Sequence, residues 1–198
     1  MVYKRSAGSL SPSAISTKIV IAGGFGAGKT TFVRSISEIE PVTTEAVMTE
    51  ASESYDDLAA TPEKATTTVA MDFGRVSLDK DLALYLFGTP GQDRFWFLWD
   101  DLIRGALGAV VLADPRRLAD CFPAIEYFES YRSAPFIVAL NCFDGVLPYA
   151  IEDIRSALAI RPEVPVLACD ARDTASAVYT LTELVRYAMT FSSHPALV

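Results

Sequence analysis

The chain has 198 residues, 51% of them hydrophobic, a net charge of −8 and three cysteines. That length suffices for one domain with a full core and no disulfide or metal staple, and the acidic balance excludes a nucleic-acid or anionic-membrane surface, both of which need clustered Lys and Arg. Cys121, Cys142 and Cys169 form an odd set without C-x-x-C spacing, and no run of about 18 apolar residues or signal-like segment is present, so a cytoplasmic protein is expected, reaching a membrane only through a partner.

Residues 1–16 are rich in Ser, Ala and Gly and read as a flexible lead-in to a domain over 17–191, with a short tail at 192–198. The apolar run 18–22 reads as a strand. It feeds Gly23-Gly24-Phe25-Gly26-Ala27-Gly28-Lys29-Thr30-Thr31, which fits the phosphate-loop pattern G-x-x-x-x-G-K-[ST]. Glycines let successive backbone N–H groups turn toward phosphate oxygens, and a helix starting near Lys29 adds its positive dipole end. Gly23, Gly26, Ala27, Gly28, Lys29, Thr30 and Thr31 are therefore candidate nucleotide contacts. Lys29 would reach the β- and γ-phosphates, and the Thr30 hydroxyl would hold Mg²⁺.

Residues 31–38 continue as a helix with Phe32, Val33 and Ile36 on one face, stopped by Pro41. Residues 39–67 lack clean periodicity and carry Glu45, Glu50, Glu53, Asp56, Asp57 and Glu63. They read as a mobile functional loop, too long for an incidental connection. Thr68, at the end of the Thr66-Thr67-Thr68 run, is a candidate to complete Mg²⁺ coordination only when a γ-phosphate is present; the plainer reading is that three threonines start a strand. Residues 69–78 and 82–87 read as strands joined at Asp79-Lys80-Asp81, a hairpin at one sheet edge. The second strand ends in Gly88-Thr89-Pro90-Gly91-Gln92. There the Gly91 N–H would approach a γ-phosphate and Gln92 would orient the attacking water, beside the bland reading of a Pro-Gly turn.

Residues 95–104 read as a helix whose Phe95, Trp96, Phe97 and Trp99 form either an effector surface or core packing. The continuous apolar runs 107–113, 135–140 and 164–169 fit parallel strands covered on both faces, and helical spacing recurs over 118–131, 149–160 and 174–191. The fold class is α/β. We expect about six strands, mostly parallel with one antiparallel edge strand, and helices on both faces. Ligands of such sheets sit at the carboxyl ends of the strands, where every motif above falls. Asn141-Cys142-Phe143-Asp144 ends one of them. Asp144 could accept both N1–H and the exocyclic N–H of guanine, a contact adenine cannot make, while Asn141 would serve N7 and tie the site to the phosphate loop. Both residues are also ordinary turn formers. In Cys169-Asp170-Ala171-Arg172, the Ala171 N–H could donate to guanine O6 and Arg172 could lie against the base.

These segments resemble the Ras-type small GTP-binding proteins. The stretches GGFGAGKTTFV, TTTVAMDFG, LFGTPGQDRFWFLWDDL, RGALGAVVLAD and NCFDG resemble more closely the bacterial conservon D-type proteins, relatives of the gliding-motility GTPase MglA. The resemblance covers 17 to about 191. It implies a six-stranded P-loop NTPase G domain and a GTP/GDP switch with Mg²⁺, working in a multiprotein signalling system with a roadblock-type regulator and a sensor-kinase-like membrane protein. The chain departs from the Ras pattern at Gly88, where an aspartate steadies the magnesium shell. Asp72 is then either a substitute or a solvent-facing strand carboxylate. Cys142 stands in place of the lysine of N-K-x-D, leaving Phe143 or Arg172 to compensate, and Phe25 stands where many Ras proteins have glycine and would crowd Gln92 or an incoming arginine, so slow hydrolysis is expected. Residues 39–67 hold no arginine to act in cis, so Arg94, two residues past Gln92, is a candidate. Two alternatives stand beside the switch: a nucleotide-dependent scaffold with little hydrolysis, and a small-molecule kinase, for which no Arg-rich lid is visible.

Overall fold

The computed structural model describes residues 15–40, 42–48, 67–79, 81–91, 98–131, 134–143 and 145–191. Strand β1 (Ile15–Ala22) leads through the glycine loop into helix α1 (Lys29–Ile36), and β2 (Val42–Met48), β3 (Thr67–Asp79) and β4 (Leu82–Gly88) follow. Then come α2 (Trp99–Ile103), β5 (Ala106–Ala113), a 3-10 turn (Leu118–Cys121) running into α3 (Phe122–Tyr131), β6 (Phe136–Asn141), α4 (Ile151–Ala157), β7 (Val166–Cys169) and α5 (Thr174–Phe191).

One seven-stranded sheet has the order β2-β3-β4-β1-β5-β6-β7. β1 pairs in parallel with β4 and β5, and β5, β6 and β7 continue in parallel, while β3 is antiparallel to both β2 and β4. A mostly parallel sheet with one strand against the rest is thus present as expected. It has one strand more than the sequence reading because β2 arises within 39–67. Val42, Thr43, Thr44 and Val47 are β-branched and suit a strand, but acidic and polar neighbours hide the period of a segment with one sheet neighbour. β2 takes the edge, and β3 lies one place in.

The central strand β1 is buried from Ile19 to Ala22, and its loop emerges between β4 and β5. Side chains of one sheet face pack with α1 and α5, through Phe32, Val33, Ile36, Leu181 and Leu184. The opposite face packs with α2, α3 and α4, through Trp99, Phe128 and Ile154. The face of α1 read from sequence is therefore the buried one. β3 supports α1 closely: a Cβ on Gly74 would stand 2.7 Å from Val33 Cγ1. Cys121, Cys142 and Cys169 are buried free thiols. Among the described residues no helix is long and apolar enough to cross a membrane.

Candidate functional site

The loop after β1 wraps the first turn of α1. Gly28 caps the helix with φ 104°, and the Phe32 N–H donates to its carbonyl at 2.8 Å. Only glycine suits this place, because the backbone is left-handed and a Cβ would come 2.4 Å from Asn141 Nδ2. Lys29 is 8% exposed, and its Nζ donates to the carbonyls of Gly23 and Gly24 at 2.8 and 2.7 Å. Burial pushes its ammonium down to about 8, with Asp72 nearby opposing the shift. Gly91 packs onto the same loop, since a Cβ there would lie 2.8 Å from Lys29 Nζ and 2.9 Å from Phe25 Cα. Thr31 is exposed in the first turn of α1, and Phe25 stands 71% exposed on the loop.

Thr30 Oγ1 donates to Asp72 Oδ2 at 2.5 Å. The cause is cross-strand register. Phe73 pairs with Phe87, and β3 alternates Asp72 and Gly74 toward α1, so a Cβ on Gly88 would come 3.1 Å from Asp72 Cβ. Asp72 therefore lies against the bare Gly88 and turns toward α1, half-buried, rather than standing as a solvent-facing strand carboxylate. The next residue, Thr89, is 4% exposed and its hydroxyl has no partner among the described residues. Hard oxygen donors gathered from α1, β3 and the loop after β4 fit Mg²⁺, which is usually held by one or two carboxylates together with substrate phosphates.

Asn141, at the end of β6 and 3% exposed, joins two loops. Its Nδ2 donates to the Ala27 carbonyl at 2.9 Å, and its Oδ1 accepts the Ala171 N–H at 3.1 Å. The Ala171 donor is thus engaged by Asn141 in this structure. Arg172 forks onto Asp170, Nε to Oδ1 at 3.0 Å and Nη2 to Oδ2 at 2.9 Å. Phe143 is instead covered by Arg116, whose guanidinium carbon is 4.1 Å from the ring centroid. A cavity of about 180 Å³ beside them is lined by Pro115, Arg116, Asn141, Phe143, Val146 and Pro148. A larger apolar groove of about 320 Å³ lies between β3, β4 and α5 and touches none of the loop residues.

The structure thus brings Lys29, Thr30, Gly91, Asn141 and Ala171 around one loop. It does not bring Thr68 there: the Thr68 backbone pairs with Val47 in the β2–β3 ladder, roughly 13 Å along β3 from Asp72. Gln92, Arg94 and Asp144 lie outside the described residues, as do Phe95, Trp96 and Phe97. Trp99 belongs to the core, edge-on to Tyr127 at 5.2 Å. Asp114, Arg116 and Arg117, absent from the sequence reading, also border the site. The available signal was an aspartate at a strand end followed two residues later by paired arginines.

The family described as conserved hypothetical ATP binding protein matches residues 21–191. An uncharacterised protein of Methanocaldococcus jannaschii is 30% identical over 97 residues, 49% of this chain and 50% of that protein, so the chain spans about half of that curated relative. Among solved structures, the cytosolic domain of the T. maritima FeoB iron transporter in apo form matches with TM-score 0.62 and 16% identity, over 88% of this chain and 64% of that one. The Arl6 (BBS3) small GTPase of Trypanosoma brucei with bound nucleotide analogue GppNp matches with TM-score 0.62 and 15% identity, over 89% and 99%. At these identities the likeness is one of fold, that of a P-loop NTPase resembling small-GTPase domains. The family match spans most of the sequence, and the chain belongs to the conserved hypothetical ATP-binding protein family.

Proposed function

We propose that this chain is a guanine-nucleotide-dependent switch that binds GTP or GDP with Mg²⁺ and hydrolyses GTP slowly. The observation that carries the reading is the Asn141 side chain, bonded at once to the phosphate loop at Ala27 and to the base-side loop at Ala171. One buried amide thereby links a phosphate half to a base half. Lys29 and the loop N–H groups would hold the phosphates. Thr30 and Asp72 would hold magnesium, which when bound supplies charge neutralisation on the β- and γ-phosphates. Gly91 and Gln92 are assigned to the γ-phosphate and the attacking water, and Asp144 to the guanine edge. Thr68 would join only if its part of β3 moved, whereas Thr30 and Asp72 already meet.

The assigned setting is cytoplasmic bacterial signalling of the conservon type, with a roadblock-type regulator and a sensor-kinase-like membrane protein as partners, and it rests on the resemblance above. The family description names ATP, so the base is the point to test. Titration of purified protein with GTP, GDP and ATP should favour the guanine nucleotides at least tenfold, a preference removed by Asp144→Asn. Equal or tighter ATP binding would sink the guanine assignment. A scaffold with little hydrolysis is the second reading, favoured by the exposed Phe25 ring where Ras-type proteins carry glycine. Phosphate release that Gln92→Ala abolishes supports the switch, and no release supports the scaffold.

A further inference from the structure

The connection between β5 and α3 holds a charge cluster that the nucleotide reading leaves without a role. Asp114, at the end of β5, is 4% exposed. Its carboxylate accepts Arg116 Nε and Nη2 at 2.9 Å each and the Arg116 N–H at 2.9 Å, and Arg117 Nε lies 3.8 Å from Oδ2. Arg117 also donates its own N–H to the Asp114 carbonyl at 2.9 Å. From this anchor Arg117 Nη2 donates to the Phe25 carbonyl at 2.8 Å, steadied by Asp120 Oδ2 at 3.4 Å.

A guanidinium on this carbonyl has a directional consequence. The peptide from Phe25 to Gly26 is trans, as are the other described peptides, so its C=O and N–H point in opposite directions. Holding the carbonyl toward Arg117 aims the Gly26 N–H the other way. Gly26 has φ 76° and no side chain, so nothing on the residue itself fixes that plane.

We propose that Arg117, anchored on the buried Asp114, is a positioning residue that locks the Phe25–Gly26 peptide so that the Gly26 N–H faces a bound nucleotide phosphate. Arg116 shares the same carboxylate and covers Phe143, so the cluster ties the phosphate loop to the loop after β6. A donor set in place before the anion arrives needs no reorganisation on binding, and its loss should appear as faster ligand release.

The inference rests on the nucleotide-binding reading. Release of a fluorescent GDP should be about tenfold or more faster from Arg117→Gln than from the parent, as befits loss of a charge-assisted hydrogen bond. Arg117→Lys, which keeps a charged donor, should recover most of the difference. Arg117 is half-exposed, so the melting temperature of the nucleotide-free protein should not move, while the Gly26 amide resonance should shift in Arg117→Gln. Parental release rates in Arg117→Gln, or fast release that Arg117→Lys does not slow, overturn the lock and leave the nucleotide reading standing. A parent chain that binds neither GDP nor ADP overturns both.

Discussion

Lys29 is held in a pocket of backbone oxygens, and its titration gives the residue-scale test. Burial takes its ammonium from an ordinary 10.5 down to about 8. Between those values the unfolded chain holds a proton there that the folded chain does not, so this residue's contribution makes the fold more stable as pH rises from about 8 toward 10.5. Below about 8 both states are protonated and the full cost of burying the charge is present. For binding the sign reverses, since phosphate oxygens need the protonated form. GDP affinity should fall about tenfold between pH 7 and pH 9, a fall that Lys29→Arg should largely remove. A parent profile that matches the Lys29→Arg profile would contradict this role for Lys29. The lysine itself was legible because G-x-x-x-x-G-K-[ST] is a local pattern. Its pKa was not, because the burial that lowers it comes from chain packed over the loop, such as Gly91, which is remote in sequence.

At the level of elements, Asp72 owes its place to the pairing of β3 with β4. Alternation on β3 was readable, but which residue of β4 stands opposite Phe73 was not, and a slip of one residue would turn Asp72 to the other face. The same limit hid β2. Strands covered on both faces announce themselves as apolar runs, as β5, β6 and β7 do, whereas a strand with one sheet neighbour and mixed polarity resembles loop. Asp72→Ala should remove most of the gain in GDP affinity on adding Mg²⁺ while leaving the ratio of GDP to ADP affinity unchanged, measured by titration with Mg²⁺ and with EDTA. The exchanged pair Asp72→Gly with Gly88→Asp should restore part of that gain, because the two Cβ positions lie 3.1 Å apart and a carboxylate from either reaches much the same place. A magnesium effect that survives Asp72→Ala would take Asp72 out of the metal site and leave its contact with Thr30 a purely structural hydrogen bond.

On the scale of the whole molecule, the loop region is where separate parts of the sheet are tied together by few bonds. The core clusters lie on opposite faces of the sheet, and the phosphate loop spans their carboxyl edge, touching β3 through Thr30, β6 through Asn141 and the β5–α3 connection through Phe25. A nucleotide seated there would bind the folded chain and not the unfolded one. At a hundred times its dissociation constant it should add about 2.7 kcal/mol. For a domain of this size that corresponds to a rise in Tm of roughly 5 to 10 °C. Melting with GDP, ADP and inorganic phosphate at one common concentration then shows how much each part of the ligand adds to binding the folded chain. A rise with both nucleoside diphosphates and little with phosphate places the gain in the connection from phosphate loop to base side, and Asn141→Ala should reduce it. An equal rise with phosphate alone would confine the site to the loop and leave the base-side residues without a part in binding.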